Sequence, residues 1–189
     1  MDRFNFVKEY KLFNACSKDD GFRPAMEMVH FINGYAYACD SHILVRVPLS
    51  SCTSFIGGEE ERERLNGFSI HARLLKIIYG YNQVRIERDD DAGTCHIVTD
   101  IEGHAVSFKL QRTEDVHPPK FDEVLEQNKA IEPVKRIGIN PRLLLKLAEA
   151  INLKDVGLYF RGERNAIRIE NKFDGSVAII MPRLLSDKD

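Results

Sequence analysis

Two stretches of the chain, Ile70-His71-Ala72-Arg73-Leu74-Leu75 and Ile139-Asn140-Pro141-Arg142-Leu143-Leu144, are related at a nearly constant offset, and so are the segments after them. Val84 to Arg88 aligns with Val156 to Phe160, and Ala105 to Leu110 aligns with Val177 to Pro182. A repeat constrains architecture more than any local propensity does. Each copy must adopt the same supersecondary unit and bury its apolar side against a neighbour.

The unit is clearest between Arg136 and Leu184. Residues 136–140 form a short apolar strand, and residues 141–151 have the spacing of a helix. Asn140 stands at the N-cap, Pro141 in the first turn, and Leu143, Leu144, Leu147, Ala148 and Ile151 on one face. Arg142, Lys146 and Glu149 fall on the opposite face, a mostly basic stripe. After Asp155 and Gly157, three runs rich in β-branched and aromatic residues alternate as strands do. The unit is β-α-β-β-β.

The N-terminal part reads the same way. Phe4 to Phe6 is a strand, and residues 7–20 are expected to be a helix ending at Gly21, with Lys8, Lys11 and Lys18 on one face and Leu12, Phe13 and Cys16 on another. Three apolar strands come next, turned by Asn33-Gly34 and by Asp40-Ser41. The second unit begins at Gly67. Its hairpin tip carries Asp89, Asp90 and Asp91, which lack the spacing of an EF-hand and read as a turn. Residues 50–67 look like a solvated connection with a short helix in its charge run. Residues 113–133 look like an extended one, anchored by Phe121, Val124 and Leu125.

A chain of 189 residues buries about 70% of its unfolded surface, enough for a core without covalent staples. Cys16, Cys39, Cys52 and Cys95 form no CxxC pair and read as buried free thiols. No apolar run reaches the length of a membrane span and no signal-peptide pattern is present, so a cytoplasmic protein is expected. The net charge of −2 means that contact with nucleic acid must come from the placement of cations. The six histidines have no paired metal-ligand spacing, and no cofactor is expected. Asp40 and His42 are two apart, would face one side if that segment were a strand, and are the best pair for a hydrolase. They come without a nucleophile motif or a phosphate loop, and the chain is read as a non-enzyme.

Three such units, each with a basic helix face and three following strands, resemble the bacterial DNA sliding clamp, the β subunit of the replicative polymerase. Ala38, Cys39, Asp40, Ser41, His42, Ile43 and Leu44 are similar to the clamp segment Ala-Thr-Asp-Gly-His-Arg-Leu. Residues 106–125 are similar to the stretch running from a strand into a Phe-Pro-Asp-Tyr loop. Met181, Pro182, Arg183 and Leu184 are similar to the clamp's Met-Pro-Met-Arg-Leu tail. The resemblance implies an α+β clamp (processivity-factor) fold with helices facing the phosphates of double-stranded DNA. Sliding requires spaced cations and no base readout. Lys8, Lys11, Lys18, Arg73, Lys76, Arg142 and Lys146 are the DNA-binding candidates. The resemblance also implies a hydrophobic pocket for short peptides of replication or repair proteins, with Met181, Pro182, Arg183 and Leu184 on one wall and His42 and Leu44 on the other.

Two departures from the family pattern bear on these expectations. Ser41 and Ile43 stand where the family has Gly and Arg, which removes one cation. Clamp chains also carry six units, and this one has three. Residues 1–125 are therefore expected to form one clamp-like domain from units 1–49 and 67–125, and residues 135–189 a third half-domain completed by a partner chain in a homo-oligomer. The other reading is a clamp-derived protein-binding accessory or decoy that does not encircle DNA.

Overall fold

At the Asn33-Gly34 turn both residues have positive φ, 50° and 79°, the geometry of a tight type I′ hairpin. It joins β2 (Met28–Ile32) to β3 (Tyr35–Cys39), and β4 (Ile43–Pro48) continues the meander. The computed structural model describes residues 3–19, 21–56, 60–127, 134 and 136–185. The other strands are β1 (Arg3–Phe6), β5 (Thr53–Ile56), β6 (Phe68–His71), β7 (Val84–Asp89), β8 (Thr94–Ile101), β9 (His104–Lys109), β10 (Gln111–Arg112), β11 (Val156–Tyr159), β12 (Ile167–Asn171) and β13 (Val177–Ile180). They form a five-stranded sheet in the order β5-β1-β7-β8-β9 and an eight-stranded sheet in the order β10-β6-β2-β3-β4-β13-β12-β11. The helices are α1 (Leu49–Cys52), α2 (Glu60–Glu63), α3 (Ala72–Ile78), α4 (Thr113–Val116), α5 (Phe121–Gln127) and α6 (Pro141–Ala150). None is long and apolar enough to cross a membrane.

The first two units are interlocked. The first strand of unit one, β1, pairs with β7 of unit two, and the first strand of unit two, β6, pairs with β2 of unit one. The third unit joins the first within the chain: β13 pairs along its whole length with β4, Val177 opposite Arg46 and Ile180 opposite Ile43. Its helix face is covered as well. Leu147, Ala150 and Ile151 are buried in the same core as Phe4, Phe6 and Phe31. Sheet continuity seats α6 over the shared core. The strand alternation explains how one sheet serves two cores: Val45, Val47, Ala178 and Ile180 face inward, while Leu44, Val177 and Ile179 face outward.

The expected helix over residues 7–20 is not formed. The segment holds only a 3-10 turn, Leu12–Asn14, because tertiary contacts take its backbone and side chains elsewhere. Val7 donates its N–H to the Cys52 carbonyl at 2.9 Å. Tyr10 is buried with its hydroxyl on Asp174, and Tyr79 reaches the Tyr10 carbonyl with its own hydroxyl. Residues 50–67 contain a strand, β5, which pairs with β1 from Arg3 to Phe6. Residues 113–127 are helical at α4 and α5 and not extended. Phe121 and Leu125 are nonetheless anchors, each 3% exposed on the outer face of the large sheet. All four cysteines are buried, and burial pushes their thiols up, Cys95 to about 11.

Candidate nucleic-acid interface and peptide-binding face

The repeated hexapeptide has the same helix cap in both copies, although the first follows β6 and the second, where a strand is expected over 136–140, follows only an isolated bridge at Gly138. The His71 side chain accepts the Arg73 N–H at 3.2 Å, and the Asn140 side chain accepts the Arg142 N–H at 3.1 Å. Each cap starts its helix with an Arg in the first turn. The 3-10 turn Leu12–Asn14 packs between α3 and α6, in the place expected for the first unit's helix. Phe13 meets Tyr79 edge-on at 5.2 Å, and the Asn14 amide donates to the Glu149 carbonyl at 3.4 Å. The three units thus contribute to one layer of short helical elements.

Lys18, Arg73 and Lys76 line one depression on this layer, together with Asn14 and Asp19. Arg73 pairs with Asp19, but both side chains are more than two-thirds exposed, so the pair is weak and leaves the guanidinium accessible. Lys8 and Lys11 are exposed on the loop after β1 and do not share a helical face with Lys18. Arg142 is exposed on the first turn of α6.

Lys146 differs from these. Its ammonium donates to the Cys16 carbonyl at 3.2 Å and pairs with Asp40, and the two side chains are 24% and 12% exposed. The other oxygen of Asp40 accepts the N–H groups of His42 at 2.6 Å and Ile43 at 2.8 Å. Lys146 is therefore an internal tie between α6 and the β3–β4 turn. Helical periodicity could not reveal this, because the partner carboxylate comes from 106 residues away. Replacing Lys146 by Met is expected to cost about 2 kcal/mol, less than a fully buried pair because both groups keep some solvent. The urea midpoint measures the loss. Asp40 and His42 also lie in the turn and not on a strand. Three acceptor bonds, from Lys146, His42 and Ile43, fix the Asp40 carboxylate as a structural element of the turn.

The peptide-binding candidates divide. Met181 donates its N–H to the His42 carbonyl at 2.8 Å, so the tail and the β3–β4 turn adjoin as expected. Met181 is 43% exposed and, two residues beyond Ile179, continues the outward face of β13. Pro182 is half-buried. Arg183 and Leu184 line a concavity with Arg136, Glu163 and Arg164, and the Arg183 N–H bonds the Gly138 carbonyl at 2.8 Å. Leu44 is not an accessible wall. It is 5% exposed, clustered with Phe121, Leu125 and Ile179 under α5. Around it, Tyr37 stacks on Phe121 at 4.8 Å and donates its hydroxyl to Asp122 at 2.9 Å, while Arg46 sits over the Tyr35 ring at 4.8 Å. Sequence reasoning misses this aromatic and ionic frame. Its only signal is the apolar spacing of Phe121, Val124 and Leu125.

No protein-family model matches this chain, and no curated protein sequence matches it. Solved structures do. A sliding clamp from Bartonella birtlesii, bound to griselimycin, matches over 97% of this chain and 66% of its own at a TM-score of 0.62 and 14% identity. A Helicobacter pylori clamp bound to a DNA ligase peptide matches over 100% of this chain and 68% of its own, with a TM-score of 0.60 and 13% identity. A putative polymerase III β subunit from Eubacterium rectale matches over 96% and 66%, with a TM-score of 0.53 and 12% identity. The chain spans about two thirds of the length of these clamps. Its fold is that of the bacterial sliding clamp.

Proposed function

We propose that this chain is a clamp-like scaffold that holds double-stranded DNA without reading sequence and recruits replication or repair proteins through short peptides. The observation that carries the reading is the shared layer of α3, the Leu12–Asn14 turn and α6, where Lys18, Arg73 and Lys76 line one depression and Arg142 is exposed on the first turn of α6. Lys8, Lys11, Lys18, Arg73, Lys76 and Arg142 are the DNA contacts, with Lys146 reassigned to structure. Such contacts act through the phosphate backbone, and their strength is set by counterion release. The peptide site is proposed at Met181, Pro182, Arg183 and Leu184 beside His42, in a homo-oligomer of cytoplasmic location. No reaction chemistry is assigned to it.

Duplex DNA of random sequence is expected to bind with a log–log salt slope of about −5 per chain if all six cations engage. Changing Lys8, Lys11, Lys76 and Arg142 together to Ala should flatten that slope by about 3.6. Undetectable binding at low salt, or a slope unmoved by the four changes, would sink the DNA reading. The alternative is then a protein-binding accessory that does not encircle DNA. It is favoured by the pairing of Arg73 with Asp19 and by Ile43 at the position of a family Arg.

A further inference from the structure

The three units share a second pairing besides the exchange of first strands. In each, the segment after the last strand returns to its own first strand: β5 to β1, β10 to β6, and Arg183 to Gly138. In units one and two the opposite edge of that first strand is then taken by the other unit, β1 by β7 and β6 by β2. Unit three stops halfway. Among the described residues, its first strand makes only the Gly138–Arg183 bridge, and β11, the counterpart of β2 and β7, pairs only with β12.

We infer that unit three completes itself by reciprocal strand exchange with a second copy of this chain, residues 136–140 of each copy adding to β11 of the other about a two-fold axis. This rests on the reading that the chain self-associates and specifies the strands that do it. The occupant follows from the chain's own pattern. β11 presents the edge that accepts a first strand in the other two units, and among the described residues Gly138, in the segment related by repeat to β1 and β6, forms a β-bridge on one side alone. A two-fold operation satisfies both at once. Keeping core-facing residues opposite one another, as Val29 is opposite Ile70, places Val156 opposite Ile139 and Tyr159 opposite Arg136 of the second copy.

Side chains beside the edge agree. Leu158 and Phe160 are 48% and 40% exposed on and just after β11, which leaves an apolar edge strand open to pairing. On α6, Lys146 turns toward the segment that carries the Leu12–Asn14 turn, while Pro141, Leu145 and Ala148 lie together on another side of the helix, with Leu145 62% exposed. That flank is where a second α6 would stand, as the Leu12–Asn14 turn stands against α3 within the chain.

Light scattering after size exclusion at about 50 μM should give a dimer or a multiple of it, and Leu145→Glu with Leu158→Lys should raise the dissociation constant by about 100-fold. The strand assignment is tested by preparing Arg136→Cys and Tyr159→Cys in separately tagged copies and oxidising them. A covalent dimer is expected when the two are mixed and not from either alone, since the four native thiols are buried. A dimer without that link, under conditions where both variants keep the parent melting curve, overturns the exchange and leaves self-association standing. A monomer overturns both.

Discussion

Phe121→Ala is expected to destabilise the whole chain by about 3–4 kcal/mol, the ordinary loss for a buried aromatic side chain. At this chain length that is a fall in melting temperature of roughly 10 °C. The magnitude follows from where the ring lies. Phe121 is 3% exposed, stacked on Tyr37 at 4.8 Å with planes 12° apart, and 5.4 Å from the ring of His30. It holds α5 against β3, β4 and β13, together with Leu125, whose carbonyl accepts from Arg168 at 3.2 Å. The control is Lys120→Ala, which removes an exposed pair with Glu123 and should stay within about 0.5 kcal/mol. If Phe121→Ala melts with the parent chain, α5 is a loose connection and Leu44 is accessible after all. Proteolysis between β9 and α6, faster in the variant, gives a second readout.

The second large effect is acid sensitivity centred on His30. This ring is fully buried, and burial lowers its pKa to about 4. A carbonyl can only accept, so Nε2 carries the proton donated to the Ala25 carbonyl at 2.8 Å, and Nδ1 accepts from the Ser69 hydroxyl at 2.8 Å. Ser69 Oγ in turn lies 3.0 Å from Thr113 Oγ1, so the neutral ring closes a chain of bonds from α4 through β6 to the turn before β2. Protonation at Nδ1 would face a donor that must then rotate away. Because the folded pKa lies below the unfolded value of about 6.5, the unfolded state binds more protons between these values. Stability from this group is intact above about pH 6.5 and is lost as pH falls toward 4, by about 3 kcal/mol in total. His30→Gln keeps a donor toward Ala25 and cannot titrate. Its stability at neutral pH should be lower, but its decline between pH 6.5 and 4 should be shallower than the parent's by that amount. Equal slopes in urea titrations across this range would contradict the assignment.

Several of these features are legible in the sequence. The hairpin at Asn33-Gly34, the cap at Asn140 and the three strands after each helix depend on residues within a few positions of one another, and local chemistry decides them. Residues 7–20 mislead for the opposite reason. Leu12, Phe13 and Cys16 have helical spacing, but Tyr10 and Val7 are claimed by Asp174 and Cys52, both distant in the chain. Of the DNA candidates, Arg73, Lys76 and Arg142 sit where helical spacing places them, and Lys146 does not serve, because Asp40 captures it. Leu44 is no open wall, because residues 121–127, extended by their sequence, fold into the α5 helix that buries it.

By itself, the sequence determined the repeat, and with it the β-α-β-β-β unit, its Asn140 cap and the outward or inward alternation of its strands. These come from periodicity and short-range hydrogen bonding, which act along the chain. Only the tertiary structure decided how the units lock together: the exchange of β1 and β6, the seam between β4 and β13, the Lys146–Asp40 tie and the open edge at β11. Those are pairings between segments tens of residues or more apart. An edge strand has the same backbone donors and acceptors whichever partner it takes, so only packing in three dimensions selects the partner.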